Sequence, residues 1–161
     1  MKKVIGLLLV VVFGTGGYCA NAQNSDKAYI LNAHMIKSDA AAVRATRDLW
    51  KRVGDQKDEA WYKLPKGYLA TYVEAGIESR YVYDKKGVWM YALLTYQEKD
   101  LPREVRKEVK SDYYDYAITW VKEIRQGEDI VYVVHVENEK EWRDVSVQEG
   151  NMRVLKAVNK L

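Results

Sequence analysis

The sequence predicts an α+β fold in two layers, built as a tandem repeat of a helix plus a four-stranded antiparallel sheet. The first observation is an internal repeat, because residues 71–95 align without a gap on residues 134–158 at an offset of 63. The other two observations are a pair of amphipathic helix patterns and a series of short strand patterns separated by turn residues. A repeat of this length indicates one supersecondary unit used twice.

Two segments carry apolar residues at helical spacing, so each predicts a helix with one buried stripe. Asp39 or Ser38 can cap the start of the first helix, and Gly54 stands where a helix usually ends. Pro102 suits the first turn of the second helix, where its missing N–H has no helical partner. The first stripe comprises Ala42, Thr46, Leu49, Trp50 and Val53, and the second Leu101, Val105, Val109 and Tyr113.

Strand patterns follow each predicted helix, and short turns join them. Such turns force antiparallel pairing, because a parallel pair needs a crossover of about a dozen residues. A further short strand is predicted at 29–31, and we expect the two units to join into one continuous sheet. The predicted strands are residues 60–63, 68–74, 79–83 and 88–96 in the first unit, and 117–123, 129–137, 141–147 and 151–158 in the second.

The first 22 residues have the pattern of a secretory signal peptide. Lys2 and Lys3 precede an apolar run too short to span a bilayer of ~30 Å, and Ala20-Asn21-Ala22 predicts cleavage before Gln23. We therefore expect a periplasmic or secreted protein. Lipoprotein anchoring at Cys19 is the alternative, disfavoured because Tyr18 is large for the position that precedes a lipidated cysteine. We expect an N-terminal arm over 23–41 and a single domain over 42–161, with repeats at 42–97 and 101–161.

Charge and cysteine content exclude several classes of protein. Without the predicted signal peptide, 24 basic residues face 23 acidic ones, which argues against nucleic-acid binding because that function needs a dominant basic patch. No later segment is apolar enough for a stable membrane span. Cys19 is the only cysteine, so the mature chain is expected to form no disulfide and no thiolate metal site.

Several short motifs give the chain a family resemblance. Together they resemble the PepSY-like family of secreted Bacteroidetes proteins, also described as β-lactamase-inhibitor-like, over about residues 42–158. The resemblance implies the β-lactamase-inhibitor-protein fold, and it implies no catalytic residues. The motifs are Ala60-Trp61, Ala70-Thr71-Tyr72, Tyr83-Asp84-Lys85-Lys86-Gly87-Val88-Trp89, Leu101-Pro102-Arg103-Glu104-Val105, Tyr113-Tyr114 and Gly150.

The sequence carries no pattern that identifies a reaction. Its two histidines, His34 and His135, are too few for a zinc site without a thiolate, and no serine lies in a G-x-S-x-G elbow. Paired carboxylates such as Glu139/Glu141 suit solvated turns. We therefore predict a non-enzymatic protein with no catalytic residues, no metal and no cofactor. An enzyme acting on envelope polymers stays a third hypothesis, which a pocket holding two carboxylates of raised pKa would revive.

Alternation along the strands of the first unit predicts an aromatic outer face. Aromatic patches of this kind mark binding surfaces, and the second unit is more polar at the matching positions, which include His135, Asp144 and Ser146. The alternative is that the arm, a second molecule or the other repeat covers the face. The predicted binding face is Tyr72, Tyr81, Tyr83, Trp89 and Tyr91, and the predicted helix-covered set is Val73, Val82, Val88, Met90, Ala92 and Leu94.

These observations lead to two functional hypotheses. The first is a periplasmic or secreted binding protein that engages an envelope protein or peptide through the open sheet face, for example as an inhibitor of an envelope enzyme. The alternative is small-ligand or glycan binding on the tyrosine and tryptophan platform.

Overall fold

A computed structural model describes residues 28–161, so the predicted signal peptide and the first residues of the arm lie outside the described residues. Its main element is an antiparallel sheet whose nine strands lie side by side in chain order. The strands are β1 (Tyr29–Leu31), β2 (Ala60–Leu64), β3 (Gly67–Glu74), β4 (Ile77–Asp84), β5 (Trp89–Tyr96), β6 (Ala117–Gln126), β7 (Asp129–Glu137), β8 (Glu141–Gln148) and β9 (Asn151–Asn159).

Three α-helices accompany the sheet within residues 28–161. They are α1 (Ala33–Ser38), α2 (Ala40–Val53) and α3 (Arg103–Asp112), and a 3-10 turn lies at Glu98–Asp100. In chain order, α2 precedes β2 to β5, and α3 precedes β6 to β9. Within the described residues, no helix is both long enough and apolar enough to cross a bilayer.

The start of α2 depends on Asp39, one of the two predicted caps. Its Oδ1 atom accepts hydrogen bonds from the backbone N–H groups of Ala41 and Ala42, which have no acceptor within the helix. Its Oδ2 atom accepts from Lys63 Nζ at 2.9 Å and from Tyr68 Oη at 2.7 Å. These two side-chain hydrogen bonds lower the pKa of Asp39 to about 2. The cap therefore also joins the helix to β2 and β3.

A hydrophobic core lies between the sheet and the helices α2 and α3, which pack on the same sheet face. Small α2 residues, Ala42 and Ala45, leave room there for large side chains from the strands, and Leu49 is fully buried. Burying one leucine side chain stabilises a fold by about 2 kcal/mol. The α3 side of the core contains Leu101, Val109, Tyr113, Ile118, Val121, Val134, Val136, Val145 and Val147.

The predicted antiparallel sheet is confirmed, and a strand lies at each stretch whose pattern predicted one. Two details differ from the expectations. Trp50, assigned to the buried helix stripe, is exposed, and its indole Nε1 donates to the Glu59 carboxylate. Helix α1, which contains His34, was not predicted. Asn32 caps it, because the Asn32 side chain accepts from the backbone N–H of Met35.

Candidate functional site

The predicted outer position of three tyrosines is wrong. Tyr72, Tyr81 and Tyr83 are buried on the face covered by the helices, and Tyr83 is 0% exposed. Trp89 also lies on this side, because the Arg52 guanidinium of α2 is 4.1 Å from the centre of its indole ring. Of the five predicted residues, Tyr91 alone lies on the other face.

A β-bulge explains why the five residues divide between the faces. Residues paired across neighbouring strands share a face, and Tyr81 pairs with Ala92, whereas Val82 pairs with Tyr91. The register then shifts, so that Tyr83 pairs with Trp89. An extra residue in one strand reverses its alternation beyond that point. The sequence prediction assumed an uninterrupted alternation of faces along β5, and the bulge makes that assumption wrong.

The predicted helix-covered set is also divided. Ala92 and Leu94 are buried in the core, as expected. Val73 is 64% exposed, and Val88 and Met90 are exposed as well, so their predicted burial under a helix is wrong. The core of the first unit is filled by tyrosines, and several of its valines face outward.

A buried carboxylate lies near the centre of the helix-covered face. Glu123 of β6 is 5% exposed, and its Oε2 atom accepts from Tyr96 Oη at 2.6 Å while its Oε1 atom accepts from Arg125. Burial, followed by the hydrogen bond to Glu123, raises the pKa of Tyr96 well above its usual range. Both carboxylate oxygens are thus occupied by intramolecular donors, which is typical of a structural group.

The opposite face, here called the open face, has an apolar row across five strands. The register pairs Ile30 with Tyr62, Tyr62 with Leu69, Leu69 with Val82, and Val82 with Tyr91. Its two ends are the most accessible, with Ile30 71% and Tyr91 39% exposed. We call these five residues the apolar row.

A second line of apolar side chains continues the row toward the centre of the sheet. Leu93 pairs with Ile124, and Ile124 pairs with Val131. Since these three are half-buried on the open face, they extend the apolar surface from β1 to β7. A contiguous apolar surface of this kind is a candidate interaction site.

The second half of the open face carries a stack of rings and cations. His135 lies between two indoles, with its ring centre 4.9 Å from that of Trp120 and 5.1 Å from that of Trp142. Lys122 Nζ is 4.7 Å from the Trp120 ring centre, and Lys156 Nζ is 4.8 Å from that of Trp142. Cations over indole rings are attracted by the ring quadrupole. We call these five residues the aromatic stack.

Asp144 fixes the orientation of the histidine in this stack. His135 Nδ1 lies 2.6 Å from Asp144 Oδ1, and both side chains are largely buried. Because an ionised carboxylate only accepts, Nδ1 carries the proton and donates it to this hydrogen bond. No spacing signal in the sequence joins Trp120, His135 and Trp142, since they lie on three different strands. The assignment of His135 and Asp144 to one face does agree with the structure.

The described side chains give no sign of a catalytic or metal centre. Within residues 28–161, no cluster of three or more His, Cys, Asp or Glu side chains is placed to hold a metal ion. The four carboxyl groups with a resolved shift, namely Asp39, Asp84, Glu137 and Glu141, all have lowered pKa values. Raised values are what an acid catalyst needs.

Comparisons with solved structures identify chains of similar fold. A BLIP-like protein from Bacteroides fragilis (BLIP, β-lactamase inhibitor protein) has a TM-score of 0.57 and 20% identity, over 73% of this chain and 84% of that one. A DUF2874 family protein from Bacteroides ovatus has a TM-score of 0.56 and 16% identity, over 72% and 85%. A protein from Bacteroides eggerthii, provisionally described as periplasmic, has a TM-score of 0.55 and 16% identity, over 72% and 86%.

These likenesses show that the chain has a fold of the BLIP-like class. No protein-family model matches the sequence, and no curated protein matches it either.

Proposed function

We propose that this chain is a non-enzymatic periplasmic or secreted protein that binds a protein or peptide partner through the open face. The observation that carries the proposal is the apolar row, which leaves Ile30 and Tyr91 exposed at its ends. Water-exposed apolar area of this kind gains free energy when a partner covers it, at about 25 cal/mol per Å². The predicted signal peptide and the provisional periplasmic description of one structural neighbour support the compartment.

We also propose that the chain is a PepSY-like protein and that its two halves arose by duplication of one unit. The element order supports a duplicated ancestor, because α2 with β2 to β5 matches α3 with β6 to β9. Gly87 and Gly150, 63 positions apart, also share a φ of 75°. We include inhibition of an envelope enzyme in the proposal, because one structural neighbour is described as BLIP-like, and it is the first activity to assay.

The small-ligand and glycan alternative needs exposed aromatic ring faces on which a sugar can stack. In the aromatic stack, the indole faces of Trp120 and Trp142 are already in contact with His135 and with lysine side chains. The predicted platform is also largely buried, with Tyr91 its one exposed tyrosine. We therefore rank protein binding first.

The test compares three versions of the protein as baits in a native envelope extract. Ile30→Asp with Tyr91→Asp places a charge at each end of the apolar row, and both sites are exposed enough to leave the core intact. The matched control, Val88→Asp with Tyr114→Asp, changes an aliphatic and an aromatic residue that are also exposed. Partners are identified by mass spectrometry, and folding is checked by thermal unfolding.

We expect a set of proteins recovered by the wild type and by the control, and lost from the row variant. Equal recovery by the row variant and the control would show that the open face is not the binding surface. Saturable changes of tryptophan fluorescence with oligosaccharides, together with no recovered protein, would favour the glycan alternative instead.

A further inference from the structure

One edge of strand β9 pairs with β8, and no described strand pairs with the other edge. Strand β9 comes last in the order of the sheet, and this nine-residue strand, Asn151–Asn159, pairs with β8 and with no other described strand. The opposite edge strand, β1, has three residues. An edge strand of this length exposes a row of backbone N–H and C=O groups that can pair with another extended chain.

The charge of this edge is of one sign. Residues 151–161 contain Arg153, Lys156 and Lys160, and they contain no aspartate or glutamate. Lys160 donates to Glu137 at 2.7 Å. Among the described residues, no carboxylate lies within ion-pair distance of Arg153 or Lys156, and both of these residues are exposed. The edge therefore presents two cations that form no ion pair with a described carboxylate.

A β-bulge places both cations on the open face. Arg153 pairs with Ser146 and Lys156 pairs with Asp144, whereas the register shifts between Asp144 and Val145. Without that shift, residues three apart would point to opposite faces. The Asp144 carboxylate opposite Lys156 is hydrogen-bonded to His135. The bulge thus aligns two positive side chains beside the aromatic stack.

The same strand also offers apolar contacts. Val154, Leu155 and Val158 are exposed, with Leu155 at 56%. Each charged position of an added strand on the open face would lie about 5 Å from a β9 side chain directly opposite. Glutamate or aspartate there would meet Arg153 or Lys156. A second copy of this chain would bring the same cations close together, which is unfavourable.

We propose that β9 is a docking edge for an extended acidic segment of a partner protein, which adds to the sheet as a tenth strand with its carboxylates toward Arg153 and Lys156. The proposal deepens the proposed function and rests on it in one respect, namely that the segment belongs to the partner that the open face binds. In this proposal, β9 supplies the backbone hydrogen bonds to the added strand, and Arg153 and Lys156 make the site prefer acidic segments.

The experiment uses a labelled nine-residue peptide in which valine and glutamate alternate, so that all its carboxylates lie on one face of the added strand. Binding to the whole protein is measured by fluorescence anisotropy. Two comparison peptides separate the contributions. One has lysine in place of glutamate, and the other keeps every side chain but carries N-methyl groups on alternate amides, which block one edge of its backbone.

We expect the glutamate peptide to bind, and the lysine peptide and the N-methylated peptide not to bind. Arg153→Glu with Lys156→Glu should weaken binding at least about tenfold, and raising the ionic strength from about 0.05 M to about 0.5 M should weaken it too. The matched control is Lys57→Glu with Lys66→Glu, a double charge reversal at exposed lysines outside β9, and its affinity should equal that of the wild type. Thermal unfolding checks that each variant is folded.

Several results would overturn the proposal. They are no binding of the glutamate peptide, equal binding of the N-methylated peptide, equal affinity of the reversed β9 variant, or a dimer in sedimentation whose β9 amides are already protected from exchange. The Ile30→Asp, Tyr91→Asp variant distinguishes failure of the β9 proposal from failure of the proposed function. If that variant loses the partner but still binds the peptide, both proposals stand. If it keeps the partner, the open-face proposal fails while the peptide result still decides the role of β9.

Discussion

His135 Nδ1 donates a hydrogen bond to Asp144 Oδ1 over 2.6 Å, between two indole rings on the open face of the sheet. A largely buried carboxylate needs such a donor, because an unpaired one costs several kcal/mol to desolvate. The imidazole in turn is held flat against Trp120, with 17° between the two ring planes. The hydrogen bond therefore joins β7 to β8 across the paired positions His135 and Asp144.

Removing the carboxylate of this pair should destabilise the fold. Asp144→Ala leaves the largely buried His135 N–H without its acceptor, so we expect the free energy of unfolding to fall by about 1–3 kcal/mol. Urea denaturation followed by circular dichroism measures it. Ser146→Ala is the control, because its hydroxyl makes only a 3.5 Å contact with the Arg153 carbonyl, and it should change stability by less than about 0.5 kcal/mol. Equal effects of the two substitutions would show that the pair adds no stability.

Two turn glycines with the same backbone angle should respond differently to alanine. Gly87 and Gly150 both have a φ of 75°, which disfavours any side chain. A Cβ at Gly87 would lie 2.1 Å from the backbone oxygen of Ala41 in α2, whereas one at Gly150 meets nothing within 4 Å. We expect Gly150→Ala to cost about 1 kcal/mol and Gly87→Ala about 1–3 kcal/mol more. Thermal unfolding of the two variants checks the difference, and equal losses would contradict the close approach of α2.

The cap of α2 should make stability depend on acid pH. The pKa of Asp39 is about 2 in the folded chain, against about 3.9 for an unfolded aspartate. A lowered pKa stabilises the fold above the unfolded value, so this contribution, about 2 kcal/mol, is lost as the pH falls from about 4 to 2. Asp39→Asn keeps an acceptor oxygen but removes the charge, so its stability should be lower at pH 7 and should vary less over that interval.

Urea denaturation between pH 7 and 2 measures this acid dependence. Asp48→Asn is the control, because Asp48 forms an exposed ion pair with Arg52 on the same helix, and such pairs contribute less than about 1 kcal/mol. An Asp39→Asn curve parallel to that of the wild type would contradict the role assigned to the cap.

Ionisation of the buried Tyr96, which donates to Glu123, should destabilise the fold at alkaline pH. Burial and Glu123 raise the pKa of Tyr96, so the folded chain keeps the phenol protonated after the unfolded chain, with a value of about 10, has ionised. Stability from this group is complete below pH 10 and is lost above it, by about 1.4 kcal/mol per pH unit.

Tyr96→Phe provides the test of this alkaline dependence. At pH 8 the variant should be less stable than the wild type by about 1–3 kcal/mol, because one hydrogen bond to a buried carboxylate is lost. The difference should narrow as the pH rises above 10, since the variant lacks the ionising group. Tyr114→Phe is the control at an exposed tyrosine, and its difference from the wild type should stay near zero at every pH. A constant gap for Tyr96→Phe would be the contrary result.

Strand positions could be predicted from the sequence because each strand ends at a local turn signal. Gly87 and Gly150 supply the positive φ that their hairpins require, and the intervening stretches alternate or are rich in β-branched residues. The cap at Asp39 was equally local. Such features depend on a few neighbouring residues, which the sequence shows directly.

The faces of the strands could not be predicted in the same way. The bulge between Val82 and Tyr83 reverses the alternation, and no residue type in that stretch marks it. The core of the first unit combines buried tyrosines with the small α2 residues Ala42 and Ala45, and such matching of side-chain sizes between elements is a tertiary effect. The aromatic stack depends on the registers of four strands at once. These are long-range relationships, so local pattern alone does not determine them.

The order of the strands also bears on how the chain folds. Since every described strand pairs with its neighbour in the sequence, none of the eight connections contains another strand of the sheet. Only the connections from β1 to β2 and from β5 to β6 contain helices. Short closures lose little chain entropy, so a sheet of this order has low contact order and is expected to fold fast for its strand content. The sheet can grow one hairpin at a time from either half, and β9, which pairs with β8 alone among the described strands, can be added last.

Helices interrupt the sheet at two of its connections, β1 to β2 and β5 to β6, and the other six pairings close across short turns. The two long closures therefore set the entropic barrier to assembly, since each must bring strand ends together across a helical segment.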